Sequence, residues 1–262
     1  MLTRALPRFG SRRSWHIFER NFAVYRSQWL MLVSGFFEPL FYLLSVGIGL
    51  NHLVGPQPVG GRLVSYATFV APGMLATSAM NGAVIDSIFN TFFRLKISHS
   101  YDAVLATPLD VTDVALGEVW WALGRAAIYA ASFIICMVLL GDAGSPWVVL
   151  CWPAALVTSF AFSCAGLAAA TYIRSWQDFD LVTLIQLPLF LFSATFFPIT
   201  LYPRWLGAIV SLSPLYQSAT LMRGLSLGQF QPVMGVRVVY LVALAVAGLF
   251  LAARRFRRIL VP

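Results

Sequence analysis

Six stretches of the chain are each long and apolar enough to cross a lipid bilayer as a helix: 29–50, 66–89, 117–140, 146–173, 181–201 and 235–253. At about 1.5 Å per residue, roughly 20 residues cover the hydrocarbon core. Composition agrees, with 59% hydrophobic and 11% charged residues and a mean hydropathy of +0.79. A soluble domain is about a quarter charged. A soluble globular domain and a disordered chain are therefore excluded, and the class left is an all-α, polytopic membrane protein. Residues 1–28 read as a cytoplasmic N-terminus and 29–262 as a single six-span domain, with no repeat and no soluble domain.

Basic residues set the direction. With both termini inside, the inner segments hold Arg4, Arg8, Arg12, Arg13, Arg20 and Arg26, then Arg94, Lys96 and Arg174, then Arg254, Arg255, Arg257 and Arg258. The outer segments hold Arg62, Arg204, Arg223 and Arg237, which makes 13 against 4. The positive-inside rule then places both termini in the cytoplasm. The net charge of +8 is absorbed by this asymmetry, so nucleic acid is not an expected partner.

Before the first span, Trp15, Phe18, Phe22 and Tyr25 recur at helical spacing, with Glu19, Arg20 and Arg26 elsewhere on the wheel. That pattern describes an amphipathic helix lying in the inner interface. The Arg12-Arg13 pair resembles a twin-arginine signal, but three charges follow before an apolar run too long for a signal peptide. The fourth span is rich in small residues, among them Ala161, Ser163, Ala165, Gly166 and Ala168. Small side chains let helices approach closely in lipid, so this span is expected inside the bundle or at a subunit contact. Cys136, Cys151 and Cys164 lack metal-ligand or disulfide spacing and read as packing residues.

Catalytic motifs appear and fail. Gly224-Leu225-Ser226-Leu227-Gly228 fits the serine-hydrolase pattern, yet His16, His52 and His99 all precede it, the wrong order for that triad. The one lysine, Lys96, lies in Leu95-Lys96-Ile97, so no phosphate-binding loop is present. No metal motif is evident. The chain reads as a non-enzyme without a cofactor of its own.

Three charges fall at membrane depth: Glu38, Asp86 and Arg125. Glu38 lies nine residues into the first span and Arg125 eight into the third, so the two are expected to pair at one depth. Asp86, about one turn from the inner end, is expected to reach water. A structural ion pair is the favoured reading, and a proton or substrate relay the other.

Four motif groups then carry a resemblance. They are Phe37-Glu38-Pro39-Leu40 with Tyr42 and Gly47-Ile48-Gly49-Leu50, Phe69-Val70-Ala71-Pro72-Gly73, Tyr101 to Leu109 followed by Gly117-Glu118, and Phe192 to Pro198 with Ser213-Pro214-Leu215 and Arg223-Gly224. In this order the chain resembles an ABC-2 type permease, of the branch with nodulation-factor (lipo-oligosaccharide) and daunorubicin-type drug exporters. The resemblance implies a dimer, of identical or homologous chains, docked on separate cytoplasmic ATPase subunits that bind the ATP and Mg. It also implies export of an amphiphilic or lipid-linked cargo across the inner membrane of a bacterium. Tyr101, Asp102, Val104 and Leu105 would form the ATPase contact. Independently, residues 98–106 can make a short helix capped by Ser98 or Ser100 and stopped at Thr107-Pro108, a lever between spans two and three. After the fifth span, Pro198, Pro203 and Pro214 bracket an apolar stretch at 204–212 that is too short to span. It reads as a re-entrant half-helix, and the family implies an outer lid there. Trp205 would otherwise be an interface anchor. The rival function is an ion-coupled carrier that needs no ATPase.

Overall fold

The structure, a computed structural model, describes residues 19, 21, 37, 40–98 and 111–260. The expected coupling helix, most of the interfacial helix and the first part of span one lie outside these residues. Within them, α1 (Leu40–Leu50) leads through Asn51–Val54 to a hairpin of β1 (Gln57–Val59) and β2 (Arg62–Val64). There follow α2 (Tyr66–Phe92), which continues π-wound through Phe93–Ile97, α3 (Val111–Leu139) and α4 (Cys151–Ala170), the last entered by a 3-10 turn at Pro146–Leu150. Then come α5 (Asp178–Leu191), α6 (Arg204–Leu212), α7 (Pro214–Ser226) and α8 (Val233–Leu260). Four helices are long and apolar enough to cross a membrane: Tyr66–Ile97, Asp113–Leu139, Pro146–Ala170 and Val233–Ile259.

The central helix is α4, as its small residues foretell. It carries Ala155, Ser159, Ala161, Cys164 and Leu167 at zero exposure. A Cβ built on Gly248 of α8 would lie 2.7 Å from the Cys164 carbonyl carbon, and one on Gly166 would lie 2.2 Å from the Ser87 hydroxyl of α2. Lipid tails are as apolar as leucine, so such close backbone approach, rather than expulsion from water, holds helices together in a membrane. Around this axis Leu75 and Met80 of α2, Phe133 and Met137 of α3, Leu221 and Met222 of α7, and Leu241 and Phe256 of α8 fill the core.

Contacts between side chains give the helix directions. Ala79 of α2 meets Ser159 of α4, and Ser87 meets Gly166, so α2 and α4 run parallel. Gly248 meets Cys164 and Arg255 meets Tyr172, so α8 runs parallel to both. By contrast, Asp86 meets Arg125 and Arg94 meets Glu118, which makes α3 antiparallel to α2. The C-terminal ends of α2, α4 and α8 thus gather Arg94, Lys96, Arg174 and Arg254 to Arg258 at one pole, the arginine end, with the β-hairpin at the other.

The fifth apolar segment departs from expectation. A continuous span over 181–201 is expected, but the helix covers Asp178–Leu191 and residues 192–197 are irregular. Pro188 removes one backbone donor inside the helix. Beyond it, the Ser193 hydroxyl donates to the Phe190 carbonyl at 2.8 Å and meets the Thr195 hydroxyl at 2.6 Å, and Ala194 takes a positive φ of 53°. Such side-chain bonds compete with helix continuation. The segment still runs the height of α2. Phe179 packs on Phe92 at 5.4 Å, Gln186 donates to Asn81 at 2.6 Å, and Ala194 and Thr195 lie beside Phe69. From Phe92 to Phe69 is about 34 Å of helix.

At the hairpin end, Gly60 and Gly61 form the tight turn with φ of 56° and 80°, conformations that two-residue hairpins require. The Gln229 side chain donates to the Val59 carbonyl at 3.1 Å, tying the hairpin to the α7–α8 link. The expected half-helix 204–212 forms as α6, but only Val210 on it is buried. The buried element is α7, with Leu215, Ser218, Ala219, Leu221, Met222, Arg223 and Ser226 enclosed. The apolar stretch that looks too hydrophobic for a loop is thus the outer of two short helices.

Candidate functional site

Among the described residues, the polar clusters of this bundle lie at distinct heights. At the arginine end, Arg94 forms an ion pair with Glu118, and its other terminal nitrogen donates to Asn21 Oδ1 at 3.0 Å. Arg94 follows α2 in its π-wound extension and Glu118 lies in the second turn of α3, so the pair clamps the two helices that flank residues 98–110. Asn21 is helical and buried, which joins the segment before span one to the same clamp. Tyr101, Asp102, Val104 and Leu105 lie outside the described residues.

Deeper in the bundle, Arg125 donates to Asp86 Oδ1 at 2.8 Å and to the Tyr129 hydroxyl at 3.0 Å. This corrects the expectation that Asp86 reaches water near the end of its span. Helix α2 does not stop near residue 89; it continues to Ile97, eleven residues beyond Asp86, which sinks the carboxylate to the depth of Arg125. Glu38, the partner expected for Arg125, lies outside the described residues. Ser78, Gly82, Ala122 and Ala126 line a pocket together with Asp86 and Tyr129 of this cluster.

The third polar cluster was not singled out from sequence. Arg223 is 7% exposed. Its Nε donates to the Phe69 carbonyl at 2.9 Å, and Nη2 donates to the carbonyls of Ala194 and Thr195 at 3.0 and 3.1 Å. Its guanidinium lies 4.0 Å from the centre of the Phe69 ring. The residue is counted above among four outer-loop arginines, where charge alone puts it. Its signal is the company it keeps: Phe69 to Gly73, Phe192 to Pro198 and Arg223-Gly224 are three of the motifs that carried the resemblance, and they meet here. Gly73 shows why a glycine stands there, since an added Cβ would lie 2.9 Å from the Thr195 methyl and 3.2 Å from Arg223 Nη2. The Tyr66 hydroxyl adds a bond to the Phe196 carbonyl at 3.3 Å.

The remaining sequence candidates are distributed along the hairpin end. Pro198 and Pro203 precede a 3-10 turn and α6, Pro214 occupies the first turn of α7, and Trp205 is 68% exposed. Ser226 of the hydrolase-like motif is fully buried at the end of α7, and its hydroxyl has no partner among the described residues. The three cysteines are buried free thiols, as packing residues would be.

Long apolar helices packed through small residues, with ion pairs kept inside, define a multi-pass membrane protein. A family model described as ABC-2 type transporter matches residues 12–227. The chain belongs to the ABC-2 type transporter family and is a permease, the transport subunit of an ABC transporter. Among its relatives, nodulation protein J of Rhizobium meliloti (strain 1021) is 30% identical, covering 98% of this chain and 97% of the relative. Those of Rhizobium leguminosarum bv. trifolii and bv. viciae are 33% and 31% identical, over 86% and 92% of this chain and 84% and 94% of the relatives. The branch is that of the nodulation protein J relatives.

Proposed function

We propose that the chain moves an amphiphilic or lipid-linked cargo (a glycolipid, a lipo-oligosaccharide or a hydrophobic drug) out across the cytoplasmic membrane of a bacterium. Separate ATPase subunits bind ATP and Mg and dock on the arginine end, which faces the cytoplasm with both termini. The permease works as a dimer with a second copy or a homologue. Six spans complete the fold, counting 29–50 and the interrupted crossing at 178–197. On the outer side α6 and α7 re-enter as a lid, with Pro198, Pro203, Trp205 and Pro214 setting its corners.

The family match across most of the chain carries this reading, and the clamp of α2 to α3 supports its mechanism. Tyr101, Asp102, Val104 and Leu105 take the push from the ATPase. Arg94–Glu118 and Asp86–Arg125 join the two helices at heights about 12 Å apart, so a displaced loop moves them as one body. At the far end α2 is tied through Phe69 and Arg223 to the outer end of the fifth crossing. ATP binding opens the path only if the docked ATPase prefers one of two such arrangements.

Inverted membrane vesicles and a fluorescent lipid-linked oligosaccharide test the energy source. Uptake is expected to require ATP and Mg and to persist with a protonophore present. Uptake that ignores ATP and collapses with the ion gradient would identify an ion-coupled carrier instead.

A further inference from the structure

At the arginine end, α8 finishes with Arg254, Arg255, Arg257 and Arg258. At about 100° per residue, Arg254, Arg255 and Arg258 fan over one side of the helix, next to the buried face of Ala252 and Phe256. Arg254 and Arg258 are exposed and four residues apart, a spacing at which like charges repel. Arg255 is half-buried, with its guanidinium 4.2 Å from the centre of the Tyr172 ring and its Nε enclosed without an acceptor. No hydrogen bond or ion pair joins any of these three side chains to another described residue. On the adjoining turn, Asp178 Oδ2 already accepts the backbone N–H groups of Arg174 and Ser175, and Asp180 is exposed. Tyr172 is 59% exposed beside the cluster.

We propose that Arg254, Arg255 and Arg258, with Arg255 held over the Tyr172 ring, bind the phosphate of an anionic phospholipid of the cytoplasmic leaflet; the leaflet follows from the orientation proposed above. Helix dipole and topology favour cations at this end in any case. Neither orients a guanidinium on an aromatic face, nor leaves three neighbouring cations without an acid among the described residues. A headgroup phosphate supplies the missing charge and accepts from a guanidinium fork, while exposed aromatic rings at the membrane interface lie beside the glycerol region.

The test is native mass spectrometry of the purified chain in detergent, titrated with phosphatidylglycerol, phosphatidylcholine or inorganic phosphate. Phosphatidylglycerol is expected to be retained, phosphatidylcholine not, and inorganic phosphate should fail to displace the lipid. Replacing all three arginines by Gln is expected to weaken retention roughly a hundredfold, from the usual contribution of a basic side chain near a charged membrane surface. Tyr172→Leu, which keeps every charge, and Arg255→Lys, which keeps the charge without the planar guanidinium, are each expected to weaken it several-fold. Lys96→Gln, at the same end, is expected to leave it unchanged. Equal retention of the two lipids, displacement by inorganic phosphate, an inert Tyr172→Leu, or a Lys96→Gln as damaging as the arginine variants would each overturn the site. In a separate affinity purification from membranes, loss of a co-purifying ATPase from the triple variant, with lipid retention intact, would assign the arginines to a protein contact instead. Lipid retention is read with no ATPase present, so its failure leaves the permease reading standing.

Discussion

Arg223 shows how much one residue can hold at the hairpin end of this fold. An arginine remains protonated when buried, and this one spends its charge on three carbonyls from two segments far apart in sequence. Arg223→Met would strip the irregular Ala194 and Thr195 carbonyls of this donor, and each buried unsatisfied group costs about 1–3 kcal/mol. We expect a loss of several kcal/mol in thermal unfolding of the purified chain, with Arg223→Lys intermediate because an ammonium cannot reproduce the planar fork. Wild-type stability in Arg223→Met would show that the carbonyls find other donors. The Asp86–Arg125 pair makes a second prediction. Removing one partner of a buried pair costs about 3–5 kcal/mol, so Asp86→Asn and Arg125→Gln should each destabilise, and the double variant should lose clearly less than the sum. Additive losses would mean that the pair carries no coupling energy. The sequence marks Asp86 and Arg125 as charges in apolar surroundings. It does not tell which partners meet, because the depth of Asp86 depends on where α2 ends, and Arg223 looks like a loop charge until α7 is seen to be enclosed.

At the level of elements, the close approach of α4 to its neighbours makes the sharpest demand. A Cβ at Gly248 would meet the backbone of Cys164 and Ala165 within 3 Å, and backbone cannot yield as a side-chain tip can. Gly248→Ala is therefore expected to cost about 1–3 kcal/mol or more. Gly235→Ala on the same helix meets nothing within 4 Å and is expected to be neutral or slightly stabilising. Thermal unfolding of both variants in one detergent checks the contrast; equal behaviour would contradict tight α4–α8 packing. The interior position of α4 was legible from its run of small residues, and the long helices α2, α3 and α8 were legible from hydropathy. Their ends were less so, since polar residues such as Arg94 and Asp113 continue a helix once packing holds it. The break at 192–197 escaped hydropathy because Phe192, Phe196 and Phe197 are as apolar as a span requires. What stops the helix is local hydrogen bonding by Ser193 and Thr195.

On the scale of the molecule, the described residues form one body whose cations lie mostly at one pole and whose acids Asp86 and Glu118 are each paired with an arginine. That distribution suits a conduit moved by an external engine better than a carrier that must titrate groups along a path. The family was legible in the sequence through four short motif groups, two of which, the one at Phe69 to Gly73 and the one from Phe192 to Gly224, the fold brings together around Arg223. Cargo was not legible, because the apolar and aromatic faces of the helices would suit a glycolipid or a drug equally. The central claim is that a separate ATPase drives this permease through the loop between α2 and α3. Its most direct test is affinity purification of the tagged chain from native membranes in mild detergent, with the co-purifying proteins identified by mass spectrometry. An ABC ATPase is expected with the wild-type chain and is expected to be lost from the Tyr101→Ala, Leu105→Ala double variant. A wild-type chain that brings no ATPase through several detergents would contradict the account.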